Sequence, residues 1–365
     1  MKLDRLNLLN YRNISSLKIN PCSEINIIYG ENAQGKTNIL EAIWMLSGSK
    51  SFRGAKDCEL VKFDAEKSEI DAEFTAQGRE QTINLYIETN RTGMLNGADL
   101  SPISGLSENF QAIVFSPNHL TLITDGPQAR RKFIDNAISQ IMPRYSAVIR
   151  EYNRALKQRN AVLRDIRWHS DLLDMIDVFE DRISHYGAKI MRLRDKYINK
   201  LSGYAEEIYD GISSMAEKIC IKYSPQTICE NLSSENDIYI KLKESFKNSR
   251  DEDINNGITS VGPHRDDISI DINELSARIY GSQGQQRSAA IALKLAEASI
   301  IKEAFGEQPI ALLDDVMSEL DENRQDYILN HIKNWQVFIT CCDLSQVLRM
   351  SDGNRYKISD GHLID

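Results

Sequence analysis

The sequence predicts an α/β fold in which the two ends of the chain make one lobe and a mainly helical middle is inserted as a second. Three observations carry that expectation. An apolar run, Ile25-Asn26-Ile27-Ile28-Tyr29, leads into a glycine-bearing loop and then into a helical pattern with Ile39, Leu40, Ile43 and Leu46 on one face. Between about Asn118 and Gly211 apolar residues recur every three or four positions, and from Ile258 strand and helix patterns alternate again. The expected division is 1–117 with 251–365 for the first lobe and 118–250 for the helical insertion.

Within the first lobe, Leu3 to Leu8, Glu69 to Phe74 and Thr82 to Glu88 read as strands punctuated by Gly, Asn and Ser. In the insertion, Ile141, Tyr145, Val148, Tyr152 and Leu156 make one helical series beside Pro143, a residue suited to a first helical turn. Ile190, Leu193, Tyr197, Leu201, Tyr204 and Ile208 make a second, and plain core packing accounts for both stripes. The polar stretch Glu230 to Asn256 reads as loop or light helix. Ile268 to Ile272 then forms a strand, Gln283 to Phe305 a long helix, and Pro309 to Leu313 a buried strand. No sustained heptad array or solenoid repeat is present.

The 365 residues, 41% hydrophobic and 27% charged, suit a soluble globular chain with room for two cores. Charges interrupt Met1-Lys2-Leu3-Asp4-Arg5-Leu6, and no run approaches the ~18 apolar residues of a membrane span. A cytoplasmic protein with no membrane partner is expected. Cys22, Cys58, Cys220, Cys229, Cys341 and Cys342 form no C-x-x-C pair, so reduced thiols and no structural metal are expected. The net charge is −9, yet from Arg130 to Arg167 ten basic residues face three acidic ones. That segment is a polyanion-binding patch or a solvated helix face, and composition leaves both open.

The loop Gly30-Glu31-Asn32-Ala33-Gln34-Gly35-Lys36-Thr37 is a complete G-x-x-x-x-G-K-[ST] phosphate loop. Its glycines let backbone N–H groups turn around phosphate oxygens at a helix N-terminus. Lys36 would reach the β- and γ-phosphates, and the Thr37 hydroxyl would ligate Mg²⁺. ATP and Mg²⁺ are therefore the expected ligands. The strand Ile310-Ala311-Leu312-Leu313 runs into Asp314-Asp315, the Walker B layout, with Asp314 as the metal residue and Asp315 as the candidate base. Upstream, Gly281-Ser282-Gln283-Gly284-Gln285 resembles the signature of ABC-type ATPases, with Ser282, Gly284 and Gln285 matching its S-x-G-Q core. Downstream, Ser318-Glu319-Leu320-Asp321 matches their S-x-L-D loop. One signature and one phosphate loop per chain imply, by that resemblance, a homodimer closed around ATP.

Further residues narrow the resemblance: Asn7-Leu8-Leu9-Asn10-Tyr11-Arg12-Asn13, Phe115-Ser116-Pro117, Gly126-Pro127 with Arg130-Arg131, and Gly262-Pro263-His264-Arg265-Asp266-Asp267. Together they resemble the RecF family over nearly the whole chain. The resemblance implies an SMC-like ABC ATPase head without the long coiled coil and a weak, DNA-stimulated ATPase. It also implies binding to duplex DNA or single-strand/duplex junctions, partnership with RecO and RecR, and help in loading RecA at gaps. The competing reading of the same motifs is the motor subunit of a membrane transporter, against which stands the long basic insertion.

Two positions depart from the ABC pattern. Asp315 stands where transport ATPases carry glutamate, which predicts slow turnover. After Val337-Phe338-Ile339-Thr340 comes Cys341-Cys342, with no histidine, and the pair reads as a redox device or simply a buried strand end. His264, Arg265, Asp266 and Asp267 fit a loop near the nucleotide better than a metal hydrolase cluster. Arg12 reads as a nucleotide or DNA contact or as a solvated loop residue. Arg130, Arg131 and Lys132, with the basic helix face that follows, are the expected DNA contacts, made to phosphate.

Overall fold

The computed structural model describes every residue except 167, 168, 170, 171, 344–352 and 365. The chain divides into two units, Met1–Thr121 with Ala290–Asp365, and Leu122–Ala289.

The first unit holds two six-stranded sheets. In one, β1 (Lys2–Tyr11) lies between β2 (Ile14–Ile19) and a series that continues as β4 (Ser68–Ala76), β5 (Arg79–Ile87), β6 (Arg91–Leu95) and β7 (Ala98–Asp99), every pairing antiparallel. Along β4, Ser68, Ile70, Ala72, Phe74 and Ala76 are buried while the residues between them are partly exposed, the alternation of a sheet with one covered face. The other sheet is built around β3 (Ile25–Tyr29), which has β13 (Val337–Cys341) on one side, followed by β12 (Ile310–Asp314) and β8 (Ala112–Phe115). On its other side lie β14 (Asn354–Ser359) and β15 (His362–Ile364). All these pairings are parallel except the β14–β15 hairpin. Every residue of β12 and β13 is buried, as expected of parallel strands covered on both faces.

Helix α1 (Lys36–Met45) packs against β1 of the first sheet and β8, β12 and β13 of the second. The sequence suggested one apolar face, but Glu41, Ala42, Trp44 and Met45 are buried as well as Ile39, Leu40 and Ile43, because both sheets cover the helix. The unit is completed by the short α2 (Pro117–Leu120) and by α9 (Glu322–His331), whose N-cap Asp321 accepts a hydrogen bond from the Arg324 N–H.

The second unit contains α3 (Pro127–Ile141), α4 (Pro143–Asp165), α5 (Leu173–Ser213) and α6 (Glu235–Asn256). Pro143 occupies the first turn of α4 as its ring favours. Three helices meet around Arg159 of α4, which is fully buried and bonded to Glu180 of α5 at 2.9 Å, Asp253 of α6 at 2.7 Å and the Thr259 hydroxyl at 2.8 Å. The segment expected to be loop or light helix is the full six-turn α6. Its buried Ile238, Leu242, Phe246 and Asp253 make a stripe too narrow to stand out in so polar a sequence, while Ser234 caps its start and Gly257 its end.

The insertion is also not purely helical, and its expected end at residue 250 is displaced. Strand β9 (Ile219–Ser224) pairs antiparallel with β10 (Asp267–Ile272), which carries β11 (Leu275–Ser276) on its far edge. That ladder, with Ile221 opposite Ile270, draws residues 251–289 into the second unit. The short α7 (Ala277–Tyr280) and the start of α8 (Gln283–Phe305) follow.

Candidate nucleotide site

The phosphate loop joins β3 to α1. Gly30 leaves the strand at φ 151° and Gly35 enters the helix at φ 107°, conformations costly for any side chain. Space is equally restrictive at Gly30, where a Cβ would lie 2.2 Å from the Ile358 carbonyl oxygen of β14. The Gln34 carbonyl accepts from the Gly361 N–H at 3.0 Å, and its side-chain oxygen accepts from the Asp360 N–H, so the β14–β15 turn braces the loop. Lys36 folds back over the loop, donating to the carbonyls of Gly30 at 2.7 Å and Glu31 at 2.9 Å. Those backbone acceptors hold the ammonium where a phosphate would compete for it.

Beside the loop, the Thr37 hydroxyl donates to Asp314 Oδ1 at 2.7 Å, and the Thr340 hydroxyl of β13 donates to the same oxygen at 2.9 Å. Burial raises the Asp314 carboxyl above its ordinary pKa; the two hydroxyl donors oppose that rise and the neighbouring Asp315 charge adds to it. Three adjacent parallel strands thus bring the loop, Asp314 and Thr340 together at their C-terminal ends. Asp315 has φ 49°, donates its N–H to Thr340 Oγ1 at 2.9 Å, and accepts from the Ser318 hydroxyl at its carbonyl at 2.8 Å.

A cavity of about 690 Å³ opens here, lined by Lys36, Thr37 and Asp315 together with Arg12, Arg53 and Phe63. Arg12 is not a solvated loop residue: its guanidinium makes two 2.9 Å bonds to the fully buried Glu41 of α1. The two cysteines part company. Cys341 is buried at the end of β13, which pushes its thiol up to about 11, whereas Cys342 is exposed with its sulfur 2.9 Å from Asn32 Oδ1 and 3.7 Å from Lys36 Nζ.

The signature residues lie in the second unit. Ser282 and Gln285 bond reciprocally, Ser282 Oγ accepting from the Gln285 N–H at 3.2 Å and Gln285 Oε1 from the Ser282 N–H at 2.7 Å. This capping box fixes the start of α8, and Gly284 lies within its first turn. The Gln285 amide also donates to Glu217 at 2.6 Å.

The expected DNA contacts need correction. Arg130 is only 4% exposed and grips Asp267 with two 2.8 Å bonds, and Arg131 donates to the Asp266 carbonyl at 2.6 Å. Both guanidinium groups hold α3 to the start of β10, and of the three residues Lys132 alone is exposed. Arg167 lies outside the described residues. The neighbouring His264 group is likewise absorbed within the second unit. Tyr152 donates to His264 Nδ1 at 2.7 Å, His264 Nε2 donates to the Thr259 carbonyl at 3.2 Å, and Asp266 accepts from the Tyr223 hydroxyl and the Gln226 N–H. Burial lowers the His264 pKa to about 4, so the ring is neutral.

A family model described as "RecF/RecN/SMC N terminal domain" matches residues 2–361. The "DNA replication and repair protein RecF" of Clostridioides difficile (strain 630) is 39% identical over 367 residues, an alignment covering 100% of this chain and 98% of that protein. The chain belongs to the RecF family. Two solved structures are similar throughout. "Structure of the recombination mediator protein RecF-ATPrS in RecFOR pathway" superposes with a TM-score of 0.93 at 38% identity, covering 99% of this chain and 97% of that one. "Structure of the recombination mediator protein RecF-ATP in RecFOR pathway" gives 0.91 at 38% identity, covering 100% and 97%. The fold of this RecF-family chain is thus the SMC-like ABC ATPase head, with α and β elements in both units.

Sequence reasoning missed the far wall of the cavity in this RecF-family chain. Arg53, Val61 and Phe63 line it and belong to no motif. Its signal was faint: an isolated Val61-Lys62-Phe63 in a stretch with no strand or helix period.

Proposed function

We propose that this RecF-family chain is an ATP-gated DNA-binding protein of DNA replication and repair. The observation that carries the reading is the cluster Thr37, Asp314 and Thr340 beside a phosphate loop whose lysine is held back on backbone carbonyls. The relatives named for DNA replication and repair, and the similar chain solved as RecF-ATP, support ATP as the ligand.

In this reading the loop N–H groups and Lys36 hold the phosphates, the lysine exchanging two carbonyl acceptors for phosphate oxygens. The Thr37 hydroxyl and Asp314 carboxylate are hard oxygen donors 2.7 Å apart, a set that suits Mg²⁺. When bound, Mg²⁺ neutralises charge on the phosphate oxygens. Thr340 orients Asp314 and, through its contact with the Asp315 N–H, sets the backbone from which Asp315 acts as base. Ser282, Gly284 and Gln285 at the start of α8 offer donors to the nucleotide of a second copy, giving an ATP-sandwiched homodimer. Hydrolysis is slow and DNA-stimulated, and it releases the dimer from DNA.

Duplex or junction DNA is held by phosphate contacts, from Lys132 and above all from α4. Arg150, Arg154, Lys157 and Arg164 are exposed there at spacings of four, three and seven, which places them on one helix face. Partnership with RecO- and RecR-like proteins and help in loading RecA at gaps complete the reading, as does a cytoplasmic location. Among the described residues no helix is long and apolar enough to cross a membrane.

Light scattering with ATP–Mg²⁺ tests the sandwich. Wild type should double in mass, Lys36→Met should lose both ATP binding and the doubling, and Ser282→Arg should bind ATP yet remain monomeric. A wild-type mass unchanged at saturating ATP would refute the homodimer.

A further inference from the structure

The start of α8 is held by a residue that belongs to none of the nucleotide motifs. Glu217 lies between α5 and β9, 68 positions before Gln285 in the chain, and its two carboxylate oxygens serve two different helices. Oε2 accepts from the hydroxyl of Tyr209, a fully buried residue of α5, at 2.7 Å, and Oε1 accepts from the Gln285 amide at 2.6 Å. The backbone on both sides of Glu217 is pinned. Ser214 and Met215 follow α5 at φ 52° and 61°, a left-handed pair that is costly for residues carrying side chains. Lys218 exchanges two bonds with Asn273, its N–H donating to Asn273 Oδ1 at 2.9 Å and its carbonyl accepting from the Asn273 N–H at 2.8 Å.

A side-chain amide has a donor end and an acceptor end of nearly the same shape, so its neighbours decide which way it points. An ionised carboxylate only accepts, and Glu217 therefore obliges Gln285 to turn its NH₂ group toward it. The amide oxygen is then the atom that meets the Ser282 N–H at 2.7 Å, while Ser282 Oγ accepts from the Gln285 N–H at 3.2 Å. Used as an acceptor there, the serine hydroxyl keeps its proton for a donor bond to a ligand. We propose that Glu217 is a positioning residue for the signature: by orienting the Gln285 amide it fixes the Ser282 hydroxyl for the nucleotide held by a second copy. The proposal rests on the ATP-sandwiched homodimer reading above and adds the residue that sets how tightly the sandwich closes.

The test measures two constants for the full chain in Mg²⁺: ATP affinity at dilute protein, and the dimer dissociation constant from light scattering over a concentration series at saturating ATP. Glu217→Ala should bind ATP as wild type does, because the phosphate loop lies in the other unit. Its dimer should weaken by about tenfold per signature, the scale of one hydrogen bond to a charged group, and so by about a hundredfold for the two signatures of a symmetric pair. Glu217→Gln keeps an oxygen for the Gln285 amide and should associate nearly as wild type does. In a Gln285→Ala background, Glu217→Ala should add nothing, since it acts through that amide. Unchanged or tighter association in Glu217→Ala would overturn the positioning role, as would equal losses in Glu217→Ala and Glu217→Gln, or a full further loss in the Gln285→Ala background. Should Glu217→Ala fail to fold, Tyr209→Phe keeps the packing and removes the hydroxyl that steadies Glu217; weaker association at unchanged ATP affinity is expected, and unchanged association would overturn the proposal. A wild type that stays monomeric at saturating ATP would remove the sandwich reading itself, and this proposal with it.

Discussion

In the proposed reading Asp315 is the base, and its side chain is one methylene shorter than glutamate. Its backbone is fixed by Thr340 and Ser318, so its reach toward an attacking water depends on side-chain length alone. Asp315→Glu should raise the rate of phosphate release about tenfold, a part of the ~10²–10⁴ that general-base help is worth in full, and leave ATP affinity unchanged. An unaltered rate would contradict the proposal that the reach of Asp315 limits turnover. Gly30 is constrained twice over, by φ and by the Ile358 carbonyl. Gly30→Ala should cost on the order of 2 kcal/mol or more in a urea melt and abolish ATP binding, because relief requires moving either the loop or β14. Positions such as these could be picked out from motif spacing alone. Arg12 could not: its partner Glu41 sits 29 positions away on a buried helix, and only the fold shows the pair.

At the scale of elements, α3 and α4 carry basic residues of two kinds, Arg130 of α3 being buried against Asp267 and Lys157 of α4 being exposed. Lys157→Glu should weaken duplex binding for all sequences alike and lower the slope of log affinity against log salt by about one, as expected for a lost phosphate contact. Arg130→Ala should instead lower stability by ~3 kcal/mol, the low end for a broken buried pair since Asp267 keeps some solvent contact, and leave that slope unchanged in the folded fraction. Composition could not make this distinction, because a basic residue reads the same whether it faces water or Asp267. His264 gives the second unit a pH signature. Its folded pKa of about 4 lies below the ordinary 6.5, so between those values the unfolded chain takes the proton and the folded chain refuses it. The stability is therefore complete above pH 6.5 and declines as pH falls toward 4. Urea melts at pH 7 and pH 5 should differ by ~2 kcal/mol more in wild type than in His264→Gln. Equal differences would mean that the buried ring contributes nothing.

At the scale of the whole molecule, what the sequence disclosed and what it hid follow from range. The phosphate loop, the Walker B strand and the bounds of α8 come from local patterns, and the structure reproduces α8 from Gln283 to Phe305. The end of the insertion was hidden because β9 and β10 pair across more than forty intervening residues, and no local signal announces that ladder. The cavity wall at Phe63 was hidden for the same reason: it is held by β1, the far end of another segment. The central claim is that ATP gates DNA binding, and the most direct test is fluorescence anisotropy of labelled duplex, gapped and single-stranded DNA with and without ATP–Mg²⁺. The account predicts duplex or junction binding that requires ATP, weakens with salt and disappears in Lys36→Met. DNA binding of equal strength with and without ATP, or in wild type and Lys36→Met alike, would contradict it.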